Sequence, residues 1–298
     1  MTTPPFGRLL TAMVTPFGPD GGLDLDAAAR LASHLVDDLA HDGLVVNGTT
    51  GESPTTSDSE KSDLVTAVVE AVGDRACVVA GIGTFDTAHT LELAAHAEKA
   101  GADGLLAVTP YYSKPPQAGL LAHFTRLADT TGLPIMLYDI PHRSGVAIAT
   151  DTLIRLAEHP RIVAVKDAKG DLVASSLVLA GSDLTYYSGD DGLTLPLLSV
   201  GAAGIVGTST HFSAVGVAAM IEAALTGDLE QAQTWHRRLL PIFTGVFATQ
   251  GCILVKAGLE LQGRGVGGVR SPMVEATAEQ RTALALALDA AGLPSRPA

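Results

Sequence analysis

The chain has 298 residues, of which 47% are hydrophobic and only 17% are charged, and its formal net charge is −13. This length fits one large α/β barrel or two ordinary domains, and the low charged fraction allows a sizeable buried core. The negative charge argues against nucleic acid and anionic membranes as partners.

Two further features bear on where the protein works. The two cysteines, Cys77 and Cys252, cannot form a disulfide framework and lack a metal-binding spacing, which favours a reducing compartment. The N-terminal residues show no signal peptide, and the most apolar region, 193–206, is too interrupted by proline and glycine to span a membrane. We therefore expect a cytoplasmic protein without a membrane partner.

Short runs rich in β-branched residues alternate with helical patterns along the chain. The predicted strands are 9–14, 44–47, 77–80, 105–109, 135–138, 162–166, 184–188 and 204–207. The predicted helices between them begin at Asp24, Ser57, Asp86, Thr150 and Asp171. Such a series of strand–helix units predicts a (β/α)8 TIM barrel. A doubly wound open sheet is the alternative, although no glycine-rich phosphate turn follows the first strand.

The pattern changes after Gly227, where helices follow one another with no strand between them. The predicted helices are 228–250, 253–261 and 276–291. We therefore expect a barrel over residues 1–227 that carries the active site, and a C-terminal helical domain over residues 228–298.

The predicted sixth strand ends in a lysine, Lys166. A strand of this composition is usually buried on both faces in a parallel sheet, and burial lowers the proton affinity of an amine. A lysine with a lowered pKa is a nucleophile for carbonyl groups. The alternative is a strand end that simply emerges into solvent. The rival lysine, Lys256, follows an apolar run in the C-terminal helices, where we expect it to extend along the surface to reach water.

Catalytic groups of a barrel lie at the C-terminal ends of its strands. Hydroxyl, phenol and guanidinium groups follow the predicted strands, so they are expected to converge on the lysine. Each has a structural alternative: the turn at 48–51 can be only a tight turn, the tyrosines can be interface residues, and the arginine can be a surface residue. The candidates at these strand ends are Thr49, Thr50, Tyr112, Tyr138, Arg143, Lys166, Gly189 and Val206. The histidines show no metal-ligand spacing, and no Gly-x-Ser-x-Gly elbow occurs, so neither metal catalysis nor a serine hydrolase is supported.

Four motifs together resemble the dihydrodipicolinate synthase (4-hydroxy-tetrahydrodipicolinate synthase) family, and are most similar to its actinobacterial members. They are Gly48-Thr49-Thr50-Gly51-Glu52-Ser53, Thr109-Pro110-Tyr111-Tyr112, Tyr138-Asp139-Ile140-Pro141 with Arg143, and Val165-Lys166-Asp167. The resemblance extends over essentially the whole chain. It implies a pyruvate-dependent aldolase-type lyase that joins pyruvate to L-aspartate 4-semialdehyde in lysine and diaminopimelate biosynthesis.

The resemblance also implies a role for each candidate. Lys166 forms a Schiff base with pyruvate, while Tyr138, Thr49 and Tyr112 relay protons, the last of them supplied by a neighbouring subunit. Thr50 and the backbone at Val206 bind the pyruvate carboxylate, Arg143 binds the carboxylate of the semialdehyde, and Gly189 belongs to the substrate site. The implied assembly is a homotetramer, a dimer of dimers, with no metal or organic cofactor.

The sequence departs from the family pattern at two places. Asp139 and His142 stand where many members have Asn and Ser, and the added negative charge of Asp139 is expected to weaken or reorient the clamp at Arg143. The segment after Gly-Glu-Ser carries Pro54, Asp58 and Lys61 instead of the usual residues of the lysine-feedback site, so we do not expect lysine inhibition.

Alternatives within and outside this reaction class are distinguishable from the sequence. N-acetylneuraminate lyases and keto-deoxy-sugar aldolases share the lysine and the tyrosine, but typically show Gly-Ser-Thr-Gly at the turn and lack the arginine. Thr49 and Arg143 therefore favour the synthase. A non-catalytic barrel that senses a keto acid through the same lysine is the remaining hypothesis.

Overall fold

A computed structural model describes residues 3–295. Within this range, eight parallel strands form a closed barrel in which each strand pairs with the next and β1 pairs with β8. The strands are β1 Leu9–Ala12, β2 Gly43–Val46, β3 Cys77–Gly81, β4 Gly104–Val108, β5 Ile135–Asp139, β6 Ile162–Asp167, β7 Thr185–Ser188 and β8 Gly204–Gly207. The predicted TIM barrel is confirmed, and the open sheet is excluded because β1 and β8 are hydrogen-bonded.

Helices cover the outside of the barrel and continue beyond it. They are α1 Leu25–Ser33, α2 Asp58–Val72, α3 Thr87–Lys99, α4 Gln117–Thr130, α5 Pro141–Ser144, α6 Thr150–Leu156, α7 Leu172–Gly181, α8 Thr194–Ser199, α9 Thr210–Thr226, α10 Leu229–Gly245, α11 Gly251–Leu261 and α12 Ala278–Ala291. No helix in the described range combines the length and apolarity that a membrane crossing requires.

Side-chain caps fix where several of these helices begin. Asp24 accepts a hydrogen bond from the amide of Ala27, and Asp171 accepts one from the amide of Ala174. Ser57 and Glu60 form a capping box at the start of α2. Each cap satisfies an amide that has no partner within its own helix, so it selects the first residue of that helix. The predicted starts at Asp24, Ser57, Asp86 and Asp171 are confirmed.

Alternation along the strands divides the apolar side chains into two layers. One layer fills the barrel interior and contains Leu10, Val45, Met136, Tyr138, Ala164 and Val206. The other lies between the strands and the helices. Lys166 is two residues beyond Ala164 on β6, so its side chain enters the interior layer. Tyr138 lies opposite Lys166 in the register of β5 and β6.

The C-terminal helices pack on one side of the barrel. Helix α10 lies against α9 and α12, and α11 lies against α12. This confirms the predicted C-terminal helical extension. The division into domains at Gly227 stays a prediction.

Candidate active site

Lys166 is buried at the C-terminal end of β6, with 5% of its surface exposed. Burial lowers the pKa of its amine to about 8, and the charge of Arg143 acts in the same direction, whereas Asp191 opposes it. No carboxylate in the described part of the chain lies within ion-pair distance of Lys166. A substantial fraction of this amine is therefore neutral near pH 8, as a nucleophile requires.

Lys256 lies in a different environment, and the expectation that it reaches solvent is wrong. It is 3% exposed, and its Nζ lies 2.7 Å from Oε1 of Glu52, itself 2% exposed. The same ammonium donates to the carbonyl oxygen of Gly268 at 2.6 Å. Burial lowers the pKa of Lys256 as well, but the paired carboxylate of Glu52 opposes this shift by stabilising the protonated amine, so Lys256 is held in a structural ion pair.

Tyr138 provides a protonated phenol next to the nucleophile. The Nζ atom of Lys166 lies 4.3 Å from the centroid of the Tyr138 ring. Burial raises the pKa of Tyr138 to about 12, while the nearby Arg143 charge and the Thr49 hydroxyl act in the opposite direction. The phenol therefore carries its proton at neutral pH and can donate it to a reacting oxygen.

A cavity of about 620 Å³ opens above Lys166 and reaches the C-terminal helices. The predicted site residues that line it are Thr49, Thr50, Tyr138, Arg143, Lys166 and Gly189. The structure thus brings six of the eight predicted residues together. Val206 is buried next to them in the barrel interior without lining the cavity. Among the described residues, no three His, Cys, Asp or Glu side chains form a potential metal site.

Tyr112 lies outside this cavity. It is 92% exposed, and its φ of 72° is in the left-handed region that a non-glycine residue seldom occupies. Within one copy of the chain, Tyr112 is therefore separate from Lys166.

Gly189 leaves little room for a side chain next to the lysine. A β-carbon at Gly189 would lie 3.0 Å from Cγ and 3.1 Å from Cε of Lys166. The loop after β7 thus approaches the aliphatic part of the lysine side chain closely.

Asp191 was not among the predicted site residues, yet it connects the loops after β7 and β8. Its fully buried carboxylate accepts hydrogen bonds from the amides of Thr208 and Ser209 and from the Ser209 hydroxyl. Thr208 in turn places its hydroxyl 3.4 Å from that of Thr50. The sequence signal was the Gly189-Asp190-Asp191 segment at a strand end, but the partners of Asp191 lie just after the next strand, β8.

Asp139 does not contact Arg143, contrary to expectation. It lies on the outer face of β5, where Oδ1 accepts a hydrogen bond from the amide of Ile148 at 3.1 Å and Oδ2 lies 3.4 Å from Nζ of Lys169. Burial raises the pKa of Asp139 to about 6. Alternation along β5 sends Tyr138 into the barrel and Asp139 out of it, which is why the added charge does not reach the clamp.

Arg143 lies on α5 at the rim of the cavity and is exposed. Its Nη1 donates a hydrogen bond of 2.8 Å to Oε1 of Gln250, the residue before α11. His142 lines the same rim. The site therefore combines a buried amine with a lowered pKa, a protonated phenol, hydroxyl groups and an exposed guanidinium around one cavity. That set can form an imine with a keto acid and bind carboxylates.

Comparisons with known proteins identify the family of this chain. Residues 5–291 match the dihydrodipicolinate synthetase family. The 4-hydroxy-tetrahydrodipicolinate synthase of Acidothermus cellulolyticus is 66% identical over 288 residues, which cover 97% of this chain and 93% of that protein. The 4-hydroxy-tetrahydrodipicolinate synthase 2 of Streptomyces coelicolor is 61% identical and covers 97% of this chain and 96% of its own. A crystal structure from Cyanidioschyzon merolae, with lysine bound, superposes with a TM-score of 0.96 at 41% identity over 98% of this chain and all (100%) of that one.

Proposed function

The chain belongs to the dihydrodipicolinate synthetase family, and we propose that Lys166 carries out its reaction by forming a Schiff base with pyruvate. The activity is that of a 4-hydroxy-tetrahydrodipicolinate synthase, a lyase of the aldolase type. The observation that carries the proposal is the contrast between the two buried lysines. Burial lowers the pKa of both amines, but Lys256 is paired with Glu52 at 2.7 Å. In contrast, no carboxylate of the described residues pairs with Lys166, and the charge of Arg143 lowers its pKa further, against the opposing effect of Asp191.

The first step joins the amine to the keto acid. The neutral amine of Lys166 attacks the keto carbon of pyruvate, and the new C–N bond leaves an alkoxide that takes a proton from the phenol of Tyr138. The phenolate takes up one proton from the nitrogen, and Tyr138 then protonates the new hydroxyl group, which leaves as water. The second nitrogen proton returns to Tyr138 as the imine forms, and Thr49 relays these protons. Thr50 and the backbone at Val206 bind the pyruvate carboxylate. The enclosed position of Lys166 supports this step because water is kept away from the imine.

The second step forms the carbon–carbon bond. Loss of a methyl proton converts the imine into an enamine, and the enamine carbon attacks the aldehyde carbon of L-aspartate 4-semialdehyde. The aldehyde oxygen takes up a proton as the bond forms. Arg143 binds the carboxylate of the semialdehyde at the cavity rim. The amino group of this substrate then attacks the imine carbon, which closes the ring and releases Lys166 as a free amine.

We further propose that the protein is a cytoplasmic homotetramer, a dimer of dimers, in which Tyr112 completes the relay of a neighbouring copy. Two observations support this assembly. Tyr112 is 92% exposed, and its left-handed backbone conformation carries a cost of about 1–2 kcal/mol, which a contact with another copy can offset.

Substrate selection tests the proposed activity. The purified protein is incubated with pyruvate and L-aspartate 4-semialdehyde, and separately with N-acetylneuraminate or a keto-deoxy-sugar, and turnover is followed in each case. We expect turnover with the semialdehyde and none above background with the sugars. A preference for the sugars would reject the second substrate while leaving the imine chemistry in place.

A further inference from the structure

The contact between Arg143 and Gln250 joins two distant parts of the chain. The two residues are 107 positions apart, and their side chains meet at 2.8 Å on the rim of the cavity. Gln250 occupies the N-cap position of α11, but its side chain makes no capping hydrogen bond. Its carbonyl oxygen is instead directed to the guanidinium of Arg143. The side chain therefore serves the site and not the helix.

The hydrogen bond from Arg143 to Gln250 leaves Arg143 able to bind a carboxylate. A guanidinium has five N–H donors, and one of them is used by Gln250, so the others remain available to a carboxylate. Gln250 is also a neutral acceptor, so it orients Arg143 without cancelling its charge. No carboxylate in residues 3–295 forms an ion pair with Arg143. A flexible exposed side chain is thus held at the rim before substrate arrives, which reduces the entropy lost on binding.

The location of Gln250 brings the C-terminal helices into the site. The end of α10, the connection that follows it and the first residue of α11 form one wall of the cavity, and the lining residues there are Phe243, Thr244, Phe247, Thr249, Gln250 and Gly251. Pyruvate bound at Lys166 lies deeper, at the end of the barrel strands. A ligand that fills the rest of the cavity is therefore in contact with this wall and with Arg143.

We infer that Gln250 is a positioning residue for the second substrate, acting by holding Arg143 where it meets the carboxylate of the aldehyde. The inference rests on the proposed function and extends it to the C-terminal helices. It predicts that losing the amide impairs binding of the aldehyde substrate and leaves pyruvate binding intact.

The test uses the full-length protein with Gln250→Ala, Gln250→Glu and a matched control, Gln233→Ala. Gln233 is exposed on α10 and lies outside the cavity. KM is measured separately for pyruvate and for L-aspartate 4-semialdehyde, and borohydride trapping of pyruvate is measured for each variant. For Gln250→Ala we expect the semialdehyde KM to rise about tenfold, since a hydrogen bond to a charged group is lost, with the pyruvate KM and the trapping yield unchanged. For Gln250→Glu we expect a larger rise, because the new carboxylate pairs with Arg143 and repels that of the substrate. The control is expected to match the parent protein.

Three results would overturn the inference. They are an unchanged semialdehyde KM in Gln250→Ala, an equal rise in both KM values, and a Gln250→Glu variant as effective as the parent protein. An equal rise would indicate a general structural role for Gln250. The proposed function fails differently, since in that case the parent protein itself gives no pyruvate adduct or no turnover with the semialdehyde.

Discussion

The Nζ atom of Lys166 lies 4.3 Å from the centroid of the Tyr138 ring, and the two residues are register partners on β6 and β5. The barrel therefore places an amine and a phenol together by strand pairing alone. Burial acts in opposite senses on the two groups: it lowers the pKa of Lys166 to about 8 and raises that of Tyr138 to about 12. Both groups are thereby shifted towards their neutral forms, which imine formation uses.

The first prediction concerns pH. Imine formation needs the neutral amine of Lys166, so the rate of borohydride trapping with pyruvate should rise as pH increases through about 8. Arg143→Gln removes a positive charge that lowers the pKa of Lys166, so the whole profile should move to higher pH. Arg237→Gln, an exposed change on α10, serves as the control and should leave the profile in place. A downward shift in Arg143→Gln would contradict the assigned electrostatics.

The second prediction concerns the glycine that faces the lysine. Gly189→Ala places a methyl group 3.0 Å from Cγ of Lys166, so the lysine side chain must shift slightly to make room. We expect kcat to fall about tenfold with little loss of stability, because a misplacement of about 1 Å costs about 100-fold and the shift required here is smaller. Gly192→Ala is the matched control, since its β-carbon would meet only a carboxylate oxygen of Asp190 at 3.5 Å. Equal activity in the two variants, measured by steady-state kinetics, would refute this account of Gly189.

The third prediction concerns the second buried lysine. Lys256→Met leaves the carboxylate of Glu52 buried without its cation, although the amide of Arg270 still donates to it. We expect the free energy of unfolding to fall by about 3–5 kcal/mol in urea denaturation. The double variant Lys256→Met with Glu52→Gln removes both charges and should recover most of the loss. If Lys256→Met were as stable as the parent protein, the ion pair between Lys256 and Glu52 would contribute little to the free energy of unfolding.

The fourth prediction concerns Tyr112. Tyr112→Phe and Lys166→Ala should each be inactive or nearly so when prepared alone. If Tyr112 acts across subunits, a mixed dimer has one complete site, in which an intact Lys166 meets the Tyr112 of the other copy. Unfolding and refolding the two variants together should therefore restore part of the activity, up to about a quarter of the parent level for random pairing in dimers with independent sites. No recovery, with mixed oligomers verified by mass spectrometry, would place Tyr112 outside the relay.

Much of the fold could be predicted because its signals are local. The eight β-rich runs lie within two residues of the observed strand ends, and the caps at Asp24, Ser57 and Asp171 use partners within three residues. Helix α4 follows Pro116, which offers no capping side chain, so its start gave no such signal. The convergence on Lys166 follows from the barrel itself, whose strands all end at one face.

The remaining features depend on partners far away in the sequence. Glu52 and Lys256 are 204 residues apart, and the apolar neighbours of Lys256 gave no sign of a buried carboxylate. Arg143 and Gln250 are separated by 107 residues and meet only because the C-terminal helices return to the barrel rim. Such tertiary contacts leave no periodic pattern, so the sequence could not indicate them.

The central claim is that Lys166 is the amine that binds pyruvate, and borohydride trapping tests it most directly. The full-length protein is treated with pyruvate and borohydride, digested, and analysed by mass spectrometry for a reduced adduct. We expect one adduct, located on Lys166, and none in the Lys166→Ala variant. No adduct in the parent protein, or an adduct on Lys256, would contradict the account.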